Sequence, residues 1–479
     1  MRFSRLRPRL KQGFALLLLF CLSALAAAQS DDLALKSHRA KALMAEGRFS
    51  EAVPLYEQLV RAVPDNPGLI LNLGLAERMA GQFRKSIPHF EAVLKKDPGN
   101  LPACLSLGVV HLKLGEPGLA VAPLERAAAA AAGDAEPRGL LAQALLEAGR
   151  PKEAALHFRK LTGLTPGDAR AWYGLGKSYE SVSNNAFEQL RKSEPESCWM
   201  LALLADSRVT RKQYRSAFYL YRQALERNPA MGGVHTAVAE VYRRTGHPDW
   251  AADEQSREPA KPAALNAAYR EAKENSQLAL EAFSHLSSLP ESVEYHQLRA
   301  ETMSAQGQHL DAAKEWRAAL AMQPGNAAFE KEVAVSLYMG RDYNSAAPLI
   351  LRFRPLTPEL NYMEGDSLLH LEEAERAIPY LEAAVRADPK MTAAHASLGL
   401  AYARAGQPAK AVSHLEAASS LDDDGSLTYQ LSRAYQATGQ PERARQALKQ
   451  YEEMVKKVQA QKDELSKEAQ ITAPPDGRQ

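Results

Sequence analysis

Residues 171–178, AWYGLGKS, fit a relaxed phosphate-binding pattern in which Lys177 would reach a phosphate and Ser178 a magnesium ion. That chemistry needs a loop following a strand, with backbone amides free to face the phosphates. Here Trp172, Leu175, Gly176 and Tyr179 fall at helical spacing, so the amides are committed to intrahelical hydrogen bonds and nucleotide binding is not expected. Other routes to catalysis have less support. The 12 histidines are scattered, and no His-Glu-x-x-His, Cys-x-x-Cys or Gly-x-Ser-x-Gly motif occurs. His111 and His157 lie in helical patterns and are expected to pack, not to ligate. Asp422, Asp423 and Asp424 form an acidic turn, expected to be solvated, with a weak cation site as the alternative. The reading is of a chain without catalytic residues, metal or cofactor.

The N-terminus reads as an address label. Arg2, Arg5, Arg7, Arg9 and Lys11 precede an apolar run from Phe14 to Leu25, and Ala26-Ala27-Ala28 offers a cleavage site after Ala28. Residues 1–28 are therefore expected to be a signal peptide, and the mature protein periplasmic or secreted. An uncleaved membrane anchor is the alternative, but an apolar run of about 12 residues falls short of the roughly 20 that span a bilayer. Bulky Phe20 before Cys21 disfavours a lipid anchor. No later stretch approaches spanning length, so no stable membrane insertion is expected after cleavage. The full chain of 479 residues carries 59 basic and 57 acidic residues. Removing the five basic residues of the label leaves 54 basic against 57 acidic, so charge offers no case for nucleic acid. Two cysteines, Cys104 and Cys198, remain, and both fall in helical patterns. Two separate buried thiols are expected, not a bridge.

The elements that position these residues recur. Residues 69–100 and 393–422 share a Leu-Gly pair, a Gly seven residues on, a small residue five further and an apolar one four beyond that. Small residues recur in one helix at Ala40, Gly74, Gly108, Ala142, Gly176, Ala205, Ala239, Ala300, Ala334, Gly365, Gly399 and Ser432. In its partner helix they fall at Ala52, Ser86, Ala120, Ala154, Ala186, Ala217, Ala251, Ala312, Ala346, Ala377, Ala411 and Ala444. Small side chains let two antiparallel helices approach closely, glycine permits the turn between them, and closing prolines such as Pro64, Pro98 and Pro324 end the second helix. Trp172, Leu175, Tyr179, Tyr221, Tyr242, Trp316, Tyr402 and Tyr435 are expected to fill the core. This pattern resembles the tetratricopeptide repeat, a helix-turn-helix unit of about 34 residues.

That resemblance implies an all-α fold, a right-handed superhelical solenoid of about 12–13 repeats. An N-terminal array is expected over 33–258 and a C-terminal array with a capping helix over 293–470. Between them, 259–292 lacks a turn glycine and carries Pro259 and Pro262, which suggests a degenerate helical hairpin or kink. The unit from Ala169 to Ser197 is short around Ser181 to Asn185, and residues 471–479 should be a disordered tail.

The resemblance also implies recognition of a protein or peptide along the groove lined by first helices. The groove-facing residues would be Leu71, Leu75 and Met79, then Leu105, Val109 and Leu112, then Tyr173, Lys177 and Glu180. They continue as Glu240, Arg243 and Arg244, then Tyr362 and Asp366, and finally Tyr429, Arg433 and Gln436. The chaperone-binding members grip a terminal carboxylate with lysine at inward positions held here by Leu71, Leu105, Gly139 and Tyr173, so that role is disfavoured. The expected function is a non-catalytic, exported scaffold for protein–protein interaction. A periplasmic subunit of an envelope-assembly or exopolysaccharide-export machine is the alternative, with an enzyme of unrecognised site as a remote third. Neither the partner nor the oligomeric state follows from the residues.

Overall fold

Seven prolines that close helices stand two residues before Asn, Asp, Ser or Thr, and these polar residues start the next helix. Asn66 accepts from the amides of Gly68 and Leu69, Asn100 from Ala103, Ser197 from Met200, Ser292 from Tyr295, Asn326 from Ala328 and Phe329, and Thr357 from Leu360. Asp168 accepts from the Arg170 amide. Each side chain satisfies amides that the first helical turn leaves without an intrahelical partner.

The computed structural model describes residues 31–261, 264–468 and 470–474, so the expected signal segment, 1–28, and the end of the tail lie outside the described residues. Among the described residues the elements are helical and no strand occurs. The chain forms two compact units, 1–181 and 182–479. The first contains α1 (31–45), α2 (Phe49–Ala62), α3 (Pro67–Met79), α4 (Phe83–Lys96), α5 (Leu101–Lys113), α6 (Pro117–Ala130), α7 (Ala135–Glu147), α8 (Pro151–Leu164) and the first half of α9 (Ala169–Ser193). The second contains the rest of α9, then α10 (Cys198–Thr210), α11 (Tyr214–Arg227), α12 (Val234–Arg244), α13 (Pro248–Ser256), α14 (Ala267–Ser288), α15 (Val293–Ala305), α16 (His309–Met322) and α17 (Ala327–Met339). It continues with α18 (Tyr343–Ile350), α19 (Pro358–His370), α20 (Ala374–Ala387), α21 (Thr392–Arg404), α22 (Pro408–Ala417), α23 (Ser426–Ala437) and α24 (Pro441–Glu468). Within the first unit the second helix of one hairpin packs on the first helix of the next, α4 on α5 and α6 on α7, and the first helices also touch, α3 with α5 and α5 with α7. The same relation links α19 with α21 and α21 with α23 in the second unit.

The close approach of paired helices depends on the small residues. A Cβ at Gly108 would stand 2.4 Å from Leu124, and one at Gly365 would stand 2.5 Å from Leu381. All the second-helix alanines named above, with Ser86, are buried. Of the large core residues, Leu175, Tyr179, Tyr221, Tyr242, Trp316, Tyr402 and Tyr435 are buried. Trp172 is the exception: it stays half-exposed because its indole Nε1 donates to the Pro166 carbonyl at 2.8 Å. Cys104 and Cys198 are free thiols, Cys104 buried but Cys198 only half-buried.

Three segments depart from the sequence reading. The unit around Ser181 to Asn185 has no helix break, because no Gly or Pro lies between Gly176 and Pro195 to stop α9, which runs on for 25 residues. Among the described residues of 259–292 the regular structure is one 22-residue helix, α14, rich in Ala, Glu and Leu, in place of the two helices of the expected hairpin. It lies beside α9 and α10, where Ser183 Oγ donates to the Ala272 carbonyl at 2.8 Å, Lys273 pairs with Asp206 at 2.8 Å, and Trp199 meets Tyr269 at 5.1 Å. Finally, the tail expected to be disordered from Ile471 is held over Ile471 to Pro474: Ile471 packs on the α10–α12 core, and Tyr242 donates to the Thr472 carbonyl at 2.7 Å.

Candidate partner-binding surface

On α3 and α5 the apolar positions divide by helical phase. Ile70, Leu73, Leu107 and Val110 are buried, whereas Leu71, Leu75, Leu105, Val109 and Leu112 are half-buried and Met79 is 45% exposed. Leu71, Leu75 and Leu105 each pack one side against the cluster of Ile70, Phe90, Val93 and Leu107. Leu71, Leu75 and Leu105 therefore border one cluster and stay half-covered, and Val109 and Leu112 are half-covered on α5. Such side chains offer dispersion and loss of water to a partner, and no polar handle.

Further along the first unit, Tyr173 and Lys177 are half-buried, and the Lys177 ammonium pairs with Glu180 one turn on. Ser178 Oγ donates to the Gly174 carbonyl at 2.7 Å within the same helix. The phosphate-loop lookalike thus lies within the first half of α9. The tight approach there involves Gly174, where a Cβ would meet Phe158 at 2.3 Å, a contact that sequence spacing assigned instead to Gly176.

In the second unit the predicted residues are largely paired within the chain. Arg243 and Arg244 both clasp Glu240 at 2.7 Å, and these two hydrogen bonds hold the Glu240 carboxyl below its ordinary range. Tyr362 is half-buried, 6.4 Å from Tyr338 in edge-on contact. Asp366, placed in the groove by sequence, is buried and accepts from the Tyr338 hydroxyl at 2.9 Å and from Ser397 Oγ at 2.7 Å. Burial, with the nearby Asp366 charge, pushes the Tyr338 phenol up, so it stays a donor. Tyr429 is 40% exposed and leans on Tyr451 of α24 at 5.3 Å, and Arg433 is exposed.

Three kinds of buried or half-buried polar group were not foreseen from the sequence. Asp422, read as part of a solvated turn, is buried and accepts from the amides of Leu427 at 3.0 Å and Thr428 at 2.7 Å, so it caps the start of α23. Histidine–carboxylate bonds cross several helix pairs: His89 to Glu77 at 2.8 Å, His235 to Glu254 at 2.7 Å and His296 to Glu315 at 2.7 Å. The last two pairs, with His395 and His414 at 3.0 Å, share a separation of 19 residues. That shared spacing, counted from the small residue of each first helix, was the available signal. Glu364 is a third case, buried with Oε2 unpartnered, and burial pushes its carboxyl up to about 7.

Among the described residues no group of three or more His, Cys, Asp or Glu could hold a metal ion, and no helix is long and apolar enough to cross a membrane. Models of the tetratricopeptide repeat match residues 21–67, 37–99, 77–144, 140–186, 299–360, 362–425 and 425–450. The chain belongs to the tetratricopeptide repeat family, and membership supports a scaffold for protein–protein interaction. Among solved structures, a tetratricopeptide repeat protein from Parabacteroides merdae is 13% identical, over 64% of this chain and 98% of its own, with a TM-score of 0.33. MamA AMB-1 is 26% identical, over 34% of this chain and 86% of its own, with a TM-score of 0.30. No curated protein matches the chain.

Proposed function

We propose that the chain is a non-catalytic scaffold, exported from the cytoplasm, that binds an apolar segment of a partner protein along α3 and α5. The observation that carries this reading is that Leu71, Leu75, Leu105, Val109 and Leu112 stay half-buried, and Met79 exposed, on α3 and α5, two first helices that touch. Apolar side chains left half open on a repeat array are where a partner segment gains most from burial. Export rests on the basic and apolar run before Gln29, with release into the periplasm or medium after Ala28.

The test is affinity capture from the native envelope fraction with the wild-type chain, Met79→Asp and Val109→Asp. These two positions suit the test better than Leu71, which also packs against the core. Each variant is expected to lose captured partner at least tenfold while its helical circular dichroism is unchanged. Capture at wild-type levels by both variants defeats the reading. N-terminal sequencing of the recovered protein tests export separately, with Gln29 expected as the first residue.

A further inference from the structure

The C-terminal segment is seated on the edge of the core that α10–α13 build around Tyr242. After α24 the chain runs without regular structure through 470–474 and returns to α12, 230 residues earlier, where the Tyr242 hydroxyl donates to the Thr472 carbonyl at 2.7 Å. Tyr242 is fully buried, with Phe218 at 5.5 Å and Trp250 edge-on at 5.7 Å, and Trp250 in turn stacks on His247 at 4.0 Å. Burial pushes the Tyr242 hydroxyl up to about 12, so it is a donor at any physiological pH. Ile471 packs on the same cluster, and Pro474 is buried. Beside the segment lies a cavity of about 720 Å³ with a mainly polar lining, Lys212, Gln213, Arg215, Thr245 and His247, into which the segment itself contributes Gln470 and Ile471. The contact reads backbone and shape: one carbonyl takes a fixed donor, one aliphatic side chain meets an aromatic core, and a proline stiffens the far end of the segment.

We propose that residues 470–474 of the same molecule are the occupant of this edge of α10–α12 and act as a clamp that holds it closed. Tethering at the end of α24 gives the segment an effective concentration on the order of millimolar, enough for a small contact to stay made. The proposal is independent of the α3–α5 groove, which lies in the other unit.

The experiment measures amide hydrogen exchange at 211–216 and 245–247 in the full chain, in a chain ending at Glu468, in full-length Ile471→Asp and in full-length Tyr242→Phe. Truncation and Ile471→Asp are expected to speed exchange at these amides at least tenfold while α19–α22 is unchanged. Tyr242→Phe, which removes one hydrogen bond, is expected to give about twofold to tenfold. A synthetic peptide of residues 469–479, added at millimolar concentration, is expected to restore protection to the truncated chain and to leave the full chain unaffected. Unchanged exchange on truncation overturns the proposal. So does protection in the full chain that disappears on dilution with dissociation of a dimer, because the occupant would then be the tail of a second copy.

Discussion

In hairpin α3–α4 a Cβ at Gly74 would stand 2.9 Å from Phe90, and in hairpin α21–α22 a Cβ at Gly399 would stand 2.8 Å from Leu415. Each second helix also offers a histidine three residues after its buried small residue, His89 after Ser86 and His414 after Ala411. There the likeness ends. His89 meets the buried carboxylate of Glu77 at 2.8 Å, while His414 meets a second imidazole, His395, at 3.0 Å and lies nearly parallel to the Tyr402 ring at 5.7 Å. The steric rule of the repeat is shared by both hairpins, but the polar contact beside it is free to differ. That freedom is expected to give two regions of one array opposite responses to acid.

The shared part breaks most heavily. Gly399→Val would drive its side chain into Leu415, whose backbone nitrogen is only 3.1 Å from the added Cβ, and Gly74→Val would meet the Phe90 ring. Overpacking of this kind costs about 1–3 kcal/mol. Both variants are expected to lose that much in local unfolding free energy by native-state hydrogen exchange, each confined to its own hairpin and immediate neighbours. Equal protection in variant and wild type would show that the glycines are not what sets the helix spacing.

The polar part sharpens the comparison. The hydrogen bond to Glu77 is the main cause that raises the His89 pKa, so its stabilisation is fully present below about pH 6.5 and lost as pH rises through the raised value. His414 is lowered, chiefly by burial and then by the His395 charge, so protonation favours the unfolded chain. Its hairpin keeps full stability above about pH 6.5 and loses it as pH falls toward the lowered value. Between pH 7.5 and 5.5, exchange protection corrected for intrinsic rates is expected to rise in α3–α4 and fall in α21–α22. His414→Glu would rebuild beside His395 the arrangement that His296 and Glu315 make at 2.7 Å. It is expected to reverse the sign in α21–α22, by about 1 kcal/mol at pH 5.5. A hairpin that still loosens in acid after this change would place the sensitivity elsewhere.

The features common to the two hairpins were legible from residue types, and those that separate them were not. Gly74, Ser86, Gly399 and Ala411 announce themselves because a small side chain at fixed spacing has one steric use in a paired helix. The Pro-x-Asn, Pro-x-Asp, Pro-x-Ser and Pro-x-Thr starts are equally local. His89 and His414 carry no such mark, since the identity of the group opposite depends on the partner helix. The same limit explains α14 and the tail. Their contacts, Ser183 with Ala272 and Tyr242 with Thr472, join residues 89 and 230 positions apart. Of the proposed groove, the positions on α3 and α5 followed from the resemblance to the repeat family, but the internal pairing of Asp366 with Tyr338 and Ser397 needed the fold.

The smallest difference lies in the turns. Gly81 of α3–α4 and Gly406 of α21–α22 have φ of 77° and 72°, the left-handed region that glycine enters freely. The corresponding residue of α19–α20 is the exposed Glu372, at φ 65°, and those of two other hairpins are Lys212 at 58° and Arg341 at 62°. A side chain in that region costs about 1–2 kcal/mol, while glycine gives back roughly 0.5–1 kcal/mol through the greater freedom of the unfolded chain. Glu372→Gly is therefore expected to stabilise α19–α20 by about 0.5 kcal/mol, read as a rise in the denaturant midpoint or slower exchange there. Gly406→Glu should lose a similar amount in α21–α22. Lys212 is the wrong place for this test, because it borders the cavity beside the C-terminal segment and would mix the two effects. If Glu372→Gly proves neutral while Gly406→Glu destabilises, the glutamate turn has compensating contacts, and the turns, like the histidines, differ by more than their backbone.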